Sequence, residues 1–174
     1  MTELIVVRKL LGAPLSDVVD QEIATRPDRV VAAWTVPAPG REALISHGLP
    51  RLPEKLFQPR LQDTSVPEVE YDGDRYYRIG DFGRSGIVGS LDGSSEVHVV
   101  FAERQTRQLL NSTLDGFVDA IWRWTRLIQL LEGDLDDFEL VEDALELFVA
   151  SQRAADPTAS SRTDWAWADL VEGF

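Results

Sequence analysis

The chain of 174 residues contains no cysteine, so neither a disulfide framework nor a thiolate metal site can be built from it, and nothing points to an oxidising compartment. Histidine is almost as scarce. His47 and His98 are the only two, and they fall in different expected elements, so no metal cage and no catalytic group centred on histidine is expected. No apolar run approaches the roughly 20 residues that span a bilayer, and the stretch MTELIVVRKLLG is too short and wrongly flanked for a signal peptide. The expectation is a cytoplasmic protein without a membrane partner. Positive charge is also in short supply: 17 Lys and Arg face 30 Asp and Glu, a formal net charge of −13. Such a surface is repelled by nucleic acid and attracts a basic partner over long range, although the same charge can serve solubility alone.

The constellations of catalysis are missing as well. Gly80, Gly83, Gly86 and Gly89 recur every three residues but lead into a strand, whereas a phosphate-cradling loop leads into a helix, so they read as hairpin bends. Ser85 and Ser90 lack the turn that exposes a hydrolase nucleophile. The acids Asp134, Asp136 and Asp137 follow a glycine and run straight into a helix, without the twelve-residue spacing of a calcium loop. No acid, base and nucleophile group emerges. The chain is therefore expected to be no enzyme and to need no cofactor or metal.

What is present is a change of period. Val69 to Tyr71 and Arg75 to Ile79 flank Asp72-Gly73, and Gly86 to Leu91 and Glu96 to Phe101 flank Asp92-Gly93. Asp-Gly supplies the positive φ of a tight hairpin turn, so both pairs read as hairpins. Val97, Val99 and Phe101 point to one face and Glu96, His98 and Val100 to the other, which leaves His98 facing outward. From Leu114 the period becomes 3.6: Leu114, Phe117, Val118, Ile121, Thr125 and Ile128 form an apolar stripe, with Ser112 as the expected cap, Asp115 reaching back to it, and Asp119 with Arg123 as a surface ion pair. Gly133 is the expected stop. The reading is α+β: an antiparallel meander with a helix laid across one side.

Elsewhere the pattern predicts a strand or helix over Met1 to Leu11, a modest helix over Ser16 to Thr25, a strand over Arg29 to Val36, and a helix over Pro39 to His47 with Leu44 and Ile45 inward. Pro50 to Pro67 reads as a loop anchored by Leu52, Leu56 and Phe57. A second long helix over Asp137 to Ala150 buries Phe138, Val141, Leu145 and Phe148. A linker over Ala154 to Thr163 precedes a short element, Asp164 to Leu170. Trp122 and Trp124 are two apart and cannot share a helix face, so one of them is expected at the border of the stripe, as is one of Trp165 and Trp167. They are either core or exposed partner anchors.

Gly48-Leu49-Pro50 followed by Phe57, the Ile79-Gly80 strand end, the Gly86 to Leu91 hairpin into Val97, and above all Leu110 to Phe117 resemble the SUKH superfamily. Within it they are most similar to the fourth immunity-protein subfamily, with its Gly-Leu-Pro turn and its Asn-Ser-Ser/Thr-Leu-x-x-Phe helix start. Gly48, Leu49, Pro50, Asn111, Ser112 and Phe117 are the motif positions, and the match covers about Leu44 to Leu131. The resemblance implies one α+β domain over residues 1–174 that binds and neutralises a cognate toxin domain of a bacterial polymorphic toxin system. A basic toxin acting on nucleic acid suits the chain's charge. An adaptor or ligand-binding module regulating an endogenous protein is the alternative.

The acids Glu132, Asp134, Asp136, Asp137, Glu139, Glu142, Asp143 and Glu146 run without an intervening Lys or Arg. They are either a docking face for a partner's cations or a solvated outer face. The candidate partner-binding residues are Asp136, Asp137, Glu139, Glu142 and Asp143 on this run, and Asp81, Asp92 and Glu96 on the sheet.

Overall fold

The structure, a computed structural model, describes residues 2–27, 29–51, 57–83, 86–132 and 137–172. Both Asp-Gly turns form as the sequence demands. Strands β4 (Val69–Tyr71) and β5 (Asp74–Phe82) pair antiparallel around Asp72 and Gly73, at φ 51° and 82°. Strands β6 (Gly86–Leu91) and β7 (Val97–Phe101) pair around Gly93, and β8 (Thr106–Asn111) adds to β7. Among the described residues the sheet has six strands, in the order β3 (Phe57–Pro59), β5, β6, β7, β8 with β4 also on β5, and each of these strand pairs is antiparallel. Its first strand, β3, corrects the expected loop over Pro50 to Pro67. Proline is tolerated there because β3 lies at the sheet edge. Gly80 opposite it has no room for a side chain, since a Cβ would stand 2.3 Å from the Phe57 ring. Leu52 and Leu56, the other expected loop anchors, lie outside the described residues, as do Ser85 and Gly133.

The N-terminal third departs most from the sequence reading. Residues Thr2–Gly12 form helix α1, but only Leu15–Val18 (α2) is helical in the next segment, and Ala24–Thr25 (β1) pairs with Leu49–Pro50 (β2). Arg29–Ala33 is a 3-10 helix rather than a strand. It brings Trp34 flat onto Tyr77, with ring centroids 4.7 Å apart, and the Trp34 indole donates to the Thr64 carbonyl. Helix α3 (Ala38–His47) ends at Gly48, where two constraints require glycine: a φ of 66°, and the Thr25 carbonyl oxygen, which would stand 2.7 Å from any Cβ. Leu44 is buried but Ile45, 100° further round the helix, is 47% exposed, contrary to expectation.

Helix α4 (Leu114–Leu131) lies across the inner face of the sheet. Its cap is Thr113, one residue later than expected: the hydroxyl accepts from the Gly116 amide at 3.1 Å, while the Ser112 amide donates to Asp156. Both Trp122 and Trp124 are buried, because α1, α2 and α3 pack on α4 from other sides, as does α5 (Phe138–Ala155). Covered on most sides, the helix keeps only a narrow edge at Asp115, Asp119, Arg126, Gln129 and Leu130 that is at least partly exposed, and neither tryptophan is exposed on it. The Trp122 indole donates to the Gly48 carbonyl, and Trp124 packs on Phe148 and Trp167.

The expected linker is instead the last turn of α5 and a short helix α6 (Pro157–Ser160), followed by α7 (Ala166–Glu172). Phe138 is 82% exposed where burial was expected, and the buried stripe of α5 is Leu140, Ala144, Phe148 and Gln152. That stripe repeats every four residues, so Phe138 falls outside it. One apolar cluster takes in side chains from Val7 to Trp167.

Arg123 is no surface residue. Only 9% exposed, it pairs with Asp119 and donates to the carbonyls of Leu10, Leu11 and Ala13 at 2.8–2.9 Å. They lie in the last turn of α1 and just beyond it, where carbonyls run out of intrahelical partners, although the Leu10 carbonyl also accepts from the Ala13 amide. Arg123→Ala is expected to cost about 3 kcal/mol in urea unfolding. Arg123→Lys should recover only part of that, because an ammonium cannot hold the fork of contacts.

Candidate functional site

The sheet acids and the helix acids have different surroundings. Asp81 is held by Arg60 at 2.6 Å and Arg78 at 2.5 Å. Asp92 accepts from Arg75 at 3.1 Å and the Tyr77 hydroxyl at 3.2 Å, and also from Thr35. Glu96 lies 3.4 Å from His98 and 3.5 Å from Arg162. Each sheet carboxylate is therefore already partnered, and the three do not form one cluster of bare charge.

On α5 the picture reverses. Asp137 caps the helix, accepting from the Leu140 amide at 3.1 Å. Glu139, Glu142, Asp143 and Glu146 follow at helical spacing on the side opposite the buried stripe, and all four are exposed. None of them is paired with a cation among the described residues. Asp134 and Asp136 lie outside the described residues.

A third feature has no counterpart in the sequence reading. Where β8 turns into α4 and α5 turns into α6, a cleft of about 510 Å³ opens, lined by His47, Ser112, Thr113, Asp115, Gln152 and Asp156 among others. Asp156, 8% exposed, forms its wall and accepts from the Ser112 amide at 2.7 Å, the Ser112 hydroxyl at 2.8 Å and the Ala159 amide at 3.0 Å. Gln152 is 2% exposed, and its amide nitrogen has no hydrogen-bond partner. The only signal in the sequence was the Asp156-Pro157 step, which reads as a helix start once a helix is known to follow it.

A family model described as SUKH-4 immunity protein matches residues 10–173. The chain belongs to this family. SUKH immunity proteins are non-catalytic and neutralise toxins, so the role of this SUKH-4 protein is toxin immunity through binding a cognate toxin. No curated protein and no solved structure matches the chain.

The motif positions of the SUKH-4 chain lie in its interior joints. Gly48 ends α3, and Leu49 and Pro50 are buried in β2. Asn111 accepts from the Trp167 indole at 3.0 Å, Ser112 bonds to Asp156, and Phe117 meets the Phe57 ring edge-on. The match over residues 10–173 extends well beyond the Leu44 to Leu131 stretch legible by eye. Among the described residues no group of His, Cys, Asp and Glu is arranged to hold a metal, and no helix is long and apolar enough to cross a membrane. His47 borders the cleft, but the Ser112 hydroxyl is given to Asp156 rather than to the imidazole.

His98 lies on the outer face of the sheet, as its alternation predicts, but is not exposed. It is 1% exposed, edge-on to Tyr76, on a sheet face that Arg107 helps close by donating to Tyr76 and Asp74. Burial, and then the nearby Arg107 and Arg162 cations, push its pKa from 6.5 down to about 4. The folded protein therefore binds this proton less readily than the unfolded chain. The stabilisation is complete above pH 6.5 and is lost as pH falls toward 4, at about 1.4 kcal/mol per pH unit. Urea titrations across that window are expected to show this slope flattened in His98→Phe by the same amount.

Proposed function

We propose that this chain, acting as one domain over residues 1–174 in the cytoplasm, neutralises a basic toxin domain that acts on nucleic acid, within a polymorphic toxin system. The observation that carries the reading is the row of exposed carboxylates on α5, Glu139, Glu142, Asp143 and Glu146, which have no counter-charge among the described residues. On the sheet, by contrast, Asp81 is matched by Arg60 and Arg78, Asp92 by Arg75 and Glu96 by Arg162. An unmatched row of one sign on a chain of net charge −13 presents a field to approaching molecules, and a toxin that grips phosphates carries the complementary one. Nucleic acid itself would be repelled, so the partner is a protein. Occlusion of the toxin's substrate-binding face by a stoichiometric complex then suffices, with no chemistry on the immunity side.

The alternative of an adaptor for an endogenous protein has no particular feature in its favour. Where a toxin domain is encoded beside this gene, co-expression with it should restore growth, and failure to protect rejects the immunity reading for that toxin. Charge steering has its own test. Glu139→Gln, Glu142→Gln and Asp143→Asn together, with Asp137 kept because it caps α5, should slow association about tenfold in low salt. The difference should shrink as salt is added, with dissociation little changed. The same experiment on Asp81, Asp92 and Glu96 is expected to show a smaller effect, because their charge is already compensated.

A further inference from the structure

The sheet has two turns built on the same Asp-Gly step, and their surroundings differ. At the turn between β6 and β7 the Asp92 carboxylate accepts from Thr35, from the Tyr77 hydroxyl at 3.2 Å and from Arg75 at 3.1 Å. Its backbone is tied as well. The Asp92 amide donates to the Arg75 carbonyl at 2.7 Å, and the Ser94 amide to the Leu91 carbonyl at 3.1 Å. At the turn between β4 and β5 such ties are missing. Asp72 and Gly73 are both exposed, and the Asp72 carboxylate has no hydrogen bond or ion pair among the described residues. The space around Gly73 is open, with nothing within 4 Å of where a Cβ would stand.

That difference bears on a reaction the chain can perform on itself. In an Asp-Gly step the glycine amide nitrogen lies one bond short of closing a five-membered ring on the aspartyl Cγ, and the missing Cβ leaves the approach unobstructed. Closure requires a carboxyl free of partners and a backbone free to turn. Asp72 has no partner to leave. Its backbone is held at φ 51°, the left-handed region that a residue with a Cβ enters at a cost. What holds it there is β4, three residues long and paired only with β5, whose Val69 and Tyr71 are half-buried. So short an arm at the sheet edge opens locally at little cost.

We propose that Asp72-Gly73 is a site of spontaneous isoaspartate formation and that Asp92-Gly93, in the same chain, is protected from it. The Gly73 nitrogen attacks the protonated Asp72 carboxyl: the N–Cγ bond forms, the Cγ–OH bond breaks, and the hydroxyl leaves with the amide proton as one water. Water then opens the succinimide. Addition at Cγ restores aspartate, whereas addition at the Asp72 main-chain carbonyl leaves the chain running through Cβ. One water leaves and one returns, so the final mass is unchanged. The main chain is then one atom longer at the turn, and Tyr71 no longer lies opposite Asp74. The Tyr71 hydroxyl bond to the Gln105 carbonyl and the Arg107 guanidinium over its ring depend on that register.

The test keeps the full chain for weeks in mildly acidic buffer, folded and in parallel in concentrated urea, and then cleaves it with trypsin. Asp72-Gly73 falls in peptide 61–75 and Asp92-Gly93 in peptide 85–104, and electron-transfer fragmentation tells isoaspartate from aspartate in each. In urea the two steps should react alike. In the folded protein Asp72 should react at least about tenfold faster than Asp92, the factor that one hydrogen bond to a charged group supplies. Thr35→Val with Tyr77→Phe removes two of the donors to Asp92 and keeps the ring on Trp34. It should speed Asp92 and leave Asp72 unchanged. If that variant unfolds, Thr35→Val alone, at an exposed residue, should show a smaller rise at Asp92. Equal rates at the two steps in the folded protein, reaction at Asp72 only in urea, or an Asp92 rate unmoved by loss of its donors would each overturn the proposal.

Discussion

One buried carboxylate holds the two halves of the molecule in register. Asp156 sits at the joint between α5 and α6, yet most of its hydrogen bonds come from Asn111 and Ser112, at the joint between β8 and α4. A charge 8% exposed would be strongly unfavourable alone, and here every donor that answers it is fixed in the backbone or in a short side chain. The sheet ends and the central helix begins at the same point where the second long helix stops. That single anchorage sets how α5 lies against α4, and it also shapes the wall of the cleft beside it.

From that joint outward the molecule closes both faces of its sheet. The inner face is covered by α4 and by α7, whose Trp167 meets Phe82, Phe148 and Trp124. The outer face carries Tyr76, His98 and Val100, each no more than 1% exposed yet outside the main apolar cluster. Arg107, Asp74, Glu96 and Arg162 are knitted around them. The free edge of β8 is met by the chain at Leu109, where Asp164 and Trp165 lie against it, which shortens the ladder open to another strand.

The hairpins, the central helix and the second long helix were legible because each rests on a local signal: Asp-Gly between alternating runs, a stripe at 3.6, an uninterrupted amphipathic segment. Leu110 to Phe117 carried the family as well. The segments that misled are those whose shape is set from a distance. Residues 29–33 have a strand's composition but no strand edge to join, and they turn instead to place Trp34 on Tyr77. His98 alternates outward by count, and only side chains from β5, β8 and residues 162–164 enclose it. Thr113 displaces Ser112 as cap because Asp156, 44 residues away, claims Ser112 first. Of the candidate site, the acids on α5 could be read directly from their run, but whether a given acid was already matched could not. Asp81 and Arg60 are distant in sequence, and Gln152 looked like one more polar residue late in a helix.

The grip of Arg123 on the end of α1 bears on how the chain is made. Its three carbonyl partners precede it by 110 to 113 residues. At the usual pace of synthesis that separation is on the order of ten seconds. Throughout that interval α1 has neither the cation that closes its last turn nor α4 and α5 to lie against, and a helix of 11 residues is marginal by itself in water. The order in which elements leave the ribosome is thus not the order in which they can settle, and the apolar side chains of α1 stay uncovered until more than half of the protein has followed them.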